Sequence, residues 1–156
     1  MQTDIPNGNF EELHMQFDGG SRGNPGLAGI GVTICTPDGR MVYELGDVLD
    51  HATNNVAEYT AFLRGVQAAR RFGVKKLRIR ADSELVVRQV NGQYRVRSPD
   101  LKPLYAEVMR ELSFISDWSI AHVYRESNSR ADELANLAMD RRRKIENVNS
   151  GGRAKA

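Results

Sequence analysis

Four acidic residues lie where the sequence pattern changes from one predicted element to the next. Asp18 ends the first predicted strand and Asp82 ends the fourth, whereas Glu58 and Asp132 fall in the first turns of two predicted helices. Four carboxylates brought together raise one another's pKa values unless cations neutralise them. Oxygen ligands without His or Cys suit Mg²⁺ or Mn²⁺, and pairs of such ions occur in nucleases and polymerases. The four residues therefore predict metal-assisted phosphate chemistry.

Each of these residues also has an ordinary local role. Asp18 is followed by two glycines, which is the composition of a turn. Asp82 precedes a predicted helix, where it would serve as the N-cap. Glu58 and Asp132 each follow an Asn or Ser by three residues, which is the spacing of a capping box. Taken one at a time, local roles and metal ligation both remain open.

The elements that must position these residues follow from hydrophobic periodicity. Alternation of apolar and polar residues, or β-favouring composition, predicts strands at 13–17, 30–34, 41–45, 77–81 and 118–124. Three- and four-residue spacing predicts helices at 56–72, 83–90, 99–112 and from 131 to about 141. The glycine-rich segment 19–26 predicts a turn. This order indicates a mixed α/β fold, in which active sites gather at the carboxyl ends of strands.

Composition places the chain among globular proteins of about one domain. It has 156 residues, of which 40% are hydrophobic and 27% charged. The single cysteine, Cys35, cannot form an internal disulfide, which favours a reducing, cytoplasmic environment. No segment approaches the ~20 apolar residues of a membrane span, so no membrane association is expected. The predicted organisation is a flexible N-terminus at 1–10, one domain at 11–144 and a disordered tail at 145–156.

Charge is distributed unevenly along the chain. Residues 64–110 carry twelve basic and four acidic side chains, and residues 141–156 carry six basic and one acidic. An anionic partner would meet these basic parts. The alternative is a solvated surface of mixed sign.

The segments around the four carboxylates resemble the four motifs of type 1 ribonuclease H. They occur in the family's order, over about residues 12–140, and read Asp18-Gly19-Gly20-Ser21-Arg22-Gly23-Asn24-Pro25-Gly26, Thr53-Asn54-Asn55-Val56-Ala57-Glu58, Ala81-Asp82-Ser83 and Asn128-Ser129-Arg130-Ala131-Asp132-Glu133-Leu134-Ala135. The resemblance implies a ribonuclease H-like fold: a five-stranded mixed sheet flanked by helices on both faces, with the second strand antiparallel to its neighbours.

The same resemblance implies the activity. Asp18, Glu58, Asp82 and Asp132 would be catalytic and would bind two Mg²⁺ or Mn²⁺ ions per site. The enzyme would be an endonuclease that hydrolyses the RNA strand of an RNA/DNA hybrid duplex and leaves 5′-phosphate and 3′-hydroxyl ends. It would act as a monomer. Two alternatives remain: a noncatalytic nucleic-acid-binding module of the same fold, and a structural domain that a metal stabilises.

The resemblance also assigns substrate contacts. These residues are Gly19, Gly20, Asn24, Thr53, Asn54, Asn55, Glu84 and Tyr94. Asn24, Asn54 and Glu84 would contact sugar edges, although Glu84 stands where many relatives have Gln and cannot donate when ionised. Thr53 would anchor a DNA phosphate, or would only cap its helix. Tyr94 would pack on the DNA strand, or would belong to the core.

Two departures from the bacterial pattern stand out. The segment 91–103 has three basic residues and is too short for the basic handle that many relatives insert, so the basic run 141–144 is a candidate substitute, or a favourable cationic helix end. The loop that carries a mobile His in relatives is also short. Arg125 is the best candidate to replace that His, since it can bind phosphate, with Glu126 and His122 as the other candidates. The alternative for Arg125 is a salt bridge.

Overall fold

The computed structural model describes residues 10–149. The elements follow in the order β1 Glu12–Arg22, β2 Gly26–Cys35, β3 Met41–Ala52, α1 Asn54–Arg71, β4 Lys76–Ala81, α2 Glu84–Val90, α3 Lys102–Leu112, β5 Asp117–His122, a 3₁₀ helix Arg125–Asn128, α4 Ser129–Arg141 and β6 Ile145–Val148. The strands form a sheet in the order β5-β4-β1-β2-β3-β6. None of the helices in this part of the chain is long and apolar enough to cross a membrane.

The directions of the strands match the expectation for the fold. β1 pairs in parallel with β4, and β4 in parallel with β5. β2 is antiparallel to both of its neighbours. The parallel half of the sheet therefore ends with several carboxyl termini at one edge, as the mixed α/β pattern predicted.

One face of the sheet carries the main hydrophobic core. Alternate residues of β1, Leu13, Met15 and Phe17, are fully buried in it together with residues of α1, α2 and α3. The rings of Phe17 and Phe62, on α1, stack with their centroids 4.6 Å apart. This contact packs α1 against β1 at the residue just before Asp18.

The other face carries α4, which lies close to the backbone of β2 and β3. An added Cβ on Gly31 would stand 1.9 Å from the carbonyl oxygen of Ala131, and one on Gly46 would stand 2.6 Å from that of Leu134. The glycines thus form a groove for the helix, because any side chain there would push it away. Helices on both faces are confirmed.

The sheet has six strands rather than five. Ile145–Val148, which were predicted to be disordered, form β6 and pair antiparallel with β3, so that prediction is wrong for these residues. Pairing with β6 satisfies backbone N–H and C=O groups along the open edge of β3. Val148 also packs against the core. Phe10, predicted to be flexible, packs edge-on against Phe72 at 5.9 Å. Asn149, also predicted to be disordered, donates from Nδ2 to the carbonyl oxygen of Met41 at 2.9 Å. The remaining residues of the two predicted flexible ends, 1–9 and 150–156, lie outside the described residues.

Candidate active site

Asp18 and Asp82 are brought together by strand register. The parallel ladder between β1 and β4 ends with the pair Phe17 and Ala81, and the two acidic residues come next. The prediction that Asp18 ends its strand is wrong, because β1 continues to Arg22 through pairing with β2. The turn therefore begins later than the glycine-rich sequence indicated.

Glu58 reaches the same place from α1. It is the fifth residue of this helix, so it lies in the second turn rather than in the first turn that was predicted. Its side chain is buried, with 7% of its surface exposed. Gly19 makes this approach possible, because an added Cβ there would stand 2.4 Å from the carbonyl carbon of Ala57. A larger residue would hold the helix away from β1.

Three carboxylates form a tight cluster. Asp18, Glu58 and Asp82 each offer an oxygen, and these oxygens lie within 4.8 Å of one another. Asp132 does not belong to this closest group, but it lies in the first turn of α4, as predicted, and lines the same cleft. The cleft has a volume of about 400 Å³. The fold thus gathers all four predicted carboxylates at one site.

Burial and neighbouring charge make Asp18 and Glu58 hard to ionise. Burial, followed by the neighbouring charge of Asp82, raises the pKa of Asp18 from its ordinary 3.8 to about 7. Burial also raises the pKa of Glu58 well above its ordinary value, with the charge of Asp18 as the next cause. The cluster therefore has a high affinity for protons or for cations.

The local roles considered for these residues belong to other side chains. Thr53 caps α1, because its hydroxyl oxygen accepts a hydrogen bond from Val56 N at 3.2 Å. Ser83, rather than Asp82, caps α2 in the same way. The N-cap of α4 is Asn128, without a capping hydrogen bond from its side chain. An N-cap role therefore explains none of the three acidic residues Glu58, Asp82 and Asp132.

The donor set fits a hard divalent cation. Its ligands are carboxylate oxygens, which Mg²⁺ and Mn²⁺ prefer. Glu58 Oε2 is buried and lacks a hydrogen-bond partner among the described residues, although such atoms are normally satisfied. A cation between these carboxylates would satisfy that oxygen and cancel the repulsion. Asp18, Glu58 and Asp82, with Asp132 beside them, are the residues that could hold it.

Asn128 is a site residue that the sequence analysis did not single out. Its side chain is 1% exposed, and its Nδ2 donates to the carbonyl oxygen of Phe17 at 2.8 Å and to Asp82 Oδ2 at 3.2 Å. It therefore connects β1 to the residue after β4 at the point where their ladder ends, and it orients one of the clustered carboxylates. Its place in the fourth motif, four residues before Asp132, was the available signal.

Asn24 and Asn54 connect the β1–β2 turn to the start of α1. The side-chain oxygen of Asn24 accepts from Asn54 N at 3.0 Å, and the side-chain oxygen of Asn54 accepts from Ser21 N at 2.7 Å. Both side-chain oxygens are therefore used within the protein. The amide NH₂ groups have no partner in the described part of the chain and remain free to donate.

A second cleft adjoins the first at the start of α1. It has a volume of about 390 Å³ and is lined by Asn24, Thr53, Asn54, Asn55, Val56, Ser98, Asp100 and Leu101. Asn54 and Asn55 line the carboxylate cleft as well. Gly19 and Gly20 lie on the wall of the carboxylate cleft, so most of the predicted substrate residues surround these two clefts.

Tyr94 and Glu84 lie farther along, beside α2. Tyr94 is 49% exposed, so the alternative that it belongs to the core is wrong. The guanidinium carbon of Arg88 lies 5.3 Å from the centroid of its ring. Glu84 forms an ion pair with the same Arg88 at 2.9 Å, so its carboxylate is engaged within the protein.

Arg125 lines the carboxylate cleft from the 3₁₀ helix. The salt bridge considered for it is absent from the ion pairs formed within residues 10–149. His122 is the last residue of β5, and its ring packs against that of Tyr124. Neither His122 nor Glu126 lines the cleft. Of the three candidates for the loop position, only Arg125 does.

Comparisons with known proteins agree with this geometry. Residues 16–138 match the family described as reverse transcriptase-like. Ribonuclease HI of Halobacterium salinarum is 44% identical over 128 residues, which are 82% of this chain and 64% of that protein. Its crystal structure covers 83% of this chain, and this chain covers 98% of that one, with a TM-score of 0.81. The chain spans 35% of the length of its mycobacterial relatives.

Two further relatives extend the match. Ribonuclease H of Hydrogenovibrio crunogenus is 30% identical over 145 residues, covering 84% of this chain and 97% of that protein. The structure of LC11-RNase H1 in complex with RNA/DNA hybrid is 40% identical, covers 83% of this chain and 98% of that one, and has a TM-score of 0.80.

The mixed sheet, its two helical faces and the carboxylate cleft define a ribonuclease H-like protein. The sequence similarity to ribonucleases H, which extends over most of the chain, identifies the family more specifically than the fold does. The chain belongs to the type 1 ribonuclease H family.

Proposed function

We propose that this protein hydrolyses the RNA strand of RNA/DNA hybrids to 5′-phosphate and 3′-hydroxyl ends. The observation that carries the proposal is the convergence of Asp18, Glu58 and Asp82 within 4.8 Å, with Asp132 on the same cleft. Relatives named ribonuclease H share up to 44% of the matched residues, and one of them is solved in complex with such a hybrid.

The carboxylates would hold two Mg²⁺ or Mn²⁺ ions. When bound, such ions supply Lewis-acid activation of the attacking water and stabilise the leaving oxygen. Asp18, Glu58 and Asp82 would bind these ions through their carboxylate oxygens and neutralise the positive charge of the ions. Asn128 keeps the Asp82 carboxylate oriented through its hydrogen bond at 3.2 Å. Arg125, on the rim, binds a phosphate oxygen with its planar guanidinium but cannot accept a proton near pH 7.

Recognition of the hybrid would rest on the two clefts. A protein distinguishes RNA from DNA through the 2′-hydroxyl, which both donates and accepts in the wide minor groove. The free NH₂ groups of Asn24 and Asn54 are suited to donate to it. In the second cleft, Thr53 lies at the N-terminus of α1, where the helix dipole favours a DNA phosphate. The exposed ring of Tyr94 provides a stacking surface for a DNA sugar or base.

The setting of the activity is also a proposal. The protein would work as a monomer in the cytoplasm. The single cysteine, Cys35, is half-buried and unpaired within the 156 residues, which suits a reducing compartment.

One assay tests the proposed function. A labelled hybrid, the matching single-stranded RNA and double-stranded RNA are each incubated with Mg²⁺, Mn²⁺ or EDTA. We expect cleavage of the RNA in the hybrid with either cation and none in EDTA. Asp18→Asn should lower the rate at least 100-fold, because it removes a ligand from the cluster. Binding of the hybrid without any cleavage would instead support the noncatalytic module. Equal cleavage by Asp18→Asn and the parent would refute the assignment of the site.

A further inference from the structure

Arg22 is a cation on the wall of the carboxylate cleft for which the proposed mechanism has no use. It is the last residue of β1 and lines the cleft together with Asp18. One of its nitrogens, Nη2, donates to Asp140 Oδ1 at 2.7 Å and to Asn136 Oδ1 at 3.3 Å. Both acceptors lie on α4, so the end of β1 is held against that helix.

Two rows of residues lie side by side here, one on β1 and the other on α4. Asp18 and Arg22 are four residues apart on one strand, so they lie on the same face. Asp132, Asn136 and Asp140 are four residues apart in turn and follow one face of α4. Asn136 is itself held by the helix, because its Nδ2 donates to the carbonyl oxygen of Asp132 at 3.0 Å. Asp18 and Asp132 thus lie at one end of the rows, and Arg22 lies with Asp140 at the other.

The separation excludes a role for Arg22 at the reacting phosphate. Four residues of an extended strand span about 13 Å, which is too far for direct contact with a group held between Asp18 and Asp82. A nucleic-acid strand that lies along the cleft, however, presents phosphates on both sides of the one that is cut. Arg22 is therefore placed to meet a flanking phosphate of that same strand.

The state of the guanidinium supports this use. The side chains of Arg22 and Asp140 are 46% and 59% exposed, and an ion pair this exposed contributes little to stability. The contacts within residues 10–149 engage Nη2 and leave the N–H groups of Nε and Nη1 for a ligand. Asp140 and Asn136 fix the fork in one orientation, which reduces the entropy lost on binding a phosphate.

We propose that Arg22 binds a phosphate of the RNA strand next to the scissile one, with Asn136 and Asp140 as the residues that position it. This proposal rests on the proposed function, since it takes the strand in the carboxylate cleft to be RNA. It makes Arg22 a substrate-binding residue whose effect is on affinity rather than on the chemical step.

The test measures binding and turnover separately. Affinity for a hybrid is measured at several salt concentrations with Arg22→Gln and Arg22→Lys, each in the Asp18→Asn background that prevents cleavage. We expect Arg22→Gln to weaken binding about 5- to 20-fold and to lower the slope of log affinity against log salt by about one. Arg22→Lys should keep the slope. In the cleavage-competent protein, Arg22→Gln should raise KM with kcat within about twofold.

Two control variants distinguish a phosphate contact from a structural effect. Arg40→Gln removes an exposed cation between β2 and β3, at the end of β2 remote from the cleft, and should leave affinity and slope unchanged. Asp140→Asn removes the carboxylate charge but keeps an Oδ1 that can accept from Arg22 Nη2, so the guanidinium stays positioned. This variant should bind the hybrid at least as tightly as the parent, because a carboxylate that repels phosphates is gone. If Asp140→Asn weakens binding as much as Arg22→Gln, the ion pair is structural and the proposal is wrong.

Failure of this inference differs from failure of the proposed function. If the parent protein cuts hybrids while Arg22→Gln has the parent's KM and salt slope, Arg22 does not contact the strand. If the parent does not cut hybrids in Mg²⁺ or Mn²⁺, the proposed function itself is refuted.

Discussion

Asp18 and Asp82 are the residues that follow Phe17 and Ala81, the last matched pair in the parallel ladder between β1 and β4. Because the two strands are parallel and in this register, their acidic residues lie side by side just beyond the last pair of the ladder. The adjacent charge of Asp82 is a principal cause of the raised pKa of Asp18, after burial. The relationship has measurable consequences for stability, for metal binding and for tolerance of substitution.

The stability of the metal-free protein should fall as pH rises from about 4 to 7. The folded protein binds a proton at Asp18 more tightly than the unfolded chain does, since the pKa is raised from 3.8 to about 7. Its stabilising contribution is therefore complete below the unfolded value and is lost as pH rises through the folded value. Asp18→Asn should raise the free energy of unfolding at pH 8 by about 1–3 kcal/mol, because one pKa unit corresponds to about 1.4 kcal/mol.

Thermal denaturation in EDTA at pH 5 and pH 8 checks this prediction. Added Mg²⁺ should raise the Tm of the parent at pH 8 and raise that of Asp18→Asn less. If Asp18→Asn is less stable than the parent at pH 8 without metal, the carboxylates of the cluster do not repel one another as their closeness implies.

Gly19→Ala should be far more harmful than Gly20→Ala, although the two glycines are adjacent. A methyl group on Gly19 would lie 2.4 Å from the Ala57 carbonyl carbon, whereas one on Gly20 would meet only Asn54 Oδ1 at 4.0 Å. The first change forces α1 away from β1, and overpacking of this kind costs about 1–3 kcal/mol. Urea denaturation measures the difference, and Mg²⁺ titration of Gly19→Ala should show weakened binding because Glu58 moves with the helix. Equal stabilities of the two variants would contradict the close approach.

Asn128→Ala should weaken Mg²⁺ binding about 10-fold or more. The substitution leaves the carbonyl oxygen of Phe17 without its partner and frees the carboxylate of Asp82, and loss of a residue that orients a metal ligand has effects of this size. Calorimetric titration with Mg²⁺ measures the affinity, and kcat should fall with KM for the hybrid little changed. Ser127→Ala is the control, since this neighbour is exposed and contributes its backbone carbonyl to the contact with Gln16. Unaltered Mg²⁺ affinity in Asn128→Ala would show that Asp82 is held by other means.

Hybrid binding should depend steeply on salt, and the basic run after α4 should account for part of it. Replacing Arg141, Arg142 and Arg143 with Gln should lower the salt slope by about one for each phosphate contact that is lost. The substitution keeps β6, whereas truncation after residue 140 would also remove the strand that pairs with β3. A slope equal to that of the parent would assign these arginines to the helix end alone. Truncation after 144 should instead lower the Tm, because it exposes the edge of β3.

Much of the site was predictable because its signals are local. Alternation around Phe17 and the helical spacing before Phe72 depend on short-range periodicity, and both elements are confirmed with shifted ends. The motif around Asp132 placed this residue correctly in the first turn of its helix. Oxygen ligands without His or Cys were enough to indicate a hard divalent cation.

Other features depend on contacts between distant segments. The glycine-rich stretch after Asp18 has the composition of a turn, yet pairing with β2 extends the strand to Arg22. Residues 145–148 are too polar to predict burial, but the open edge of β3 offers hydrogen bonds that no local pattern encodes. The same limit hid Asn128, whose role exists only because the ladder between β1 and β4 ends beside it.

Sequence alone therefore determined which residue types are present, which elements carry them and which metal chemistry they suit, because periodicity and ligand preference are properties of short segments. Only the tertiary structure decided which oxygens share a cleft, which carboxylates are hard to ionise and which arginines line that cleft. Those properties depend on strand register, on the closeness of helix and sheet at Gly19, and on burial, all of which arise when segments remote in the chain pack together.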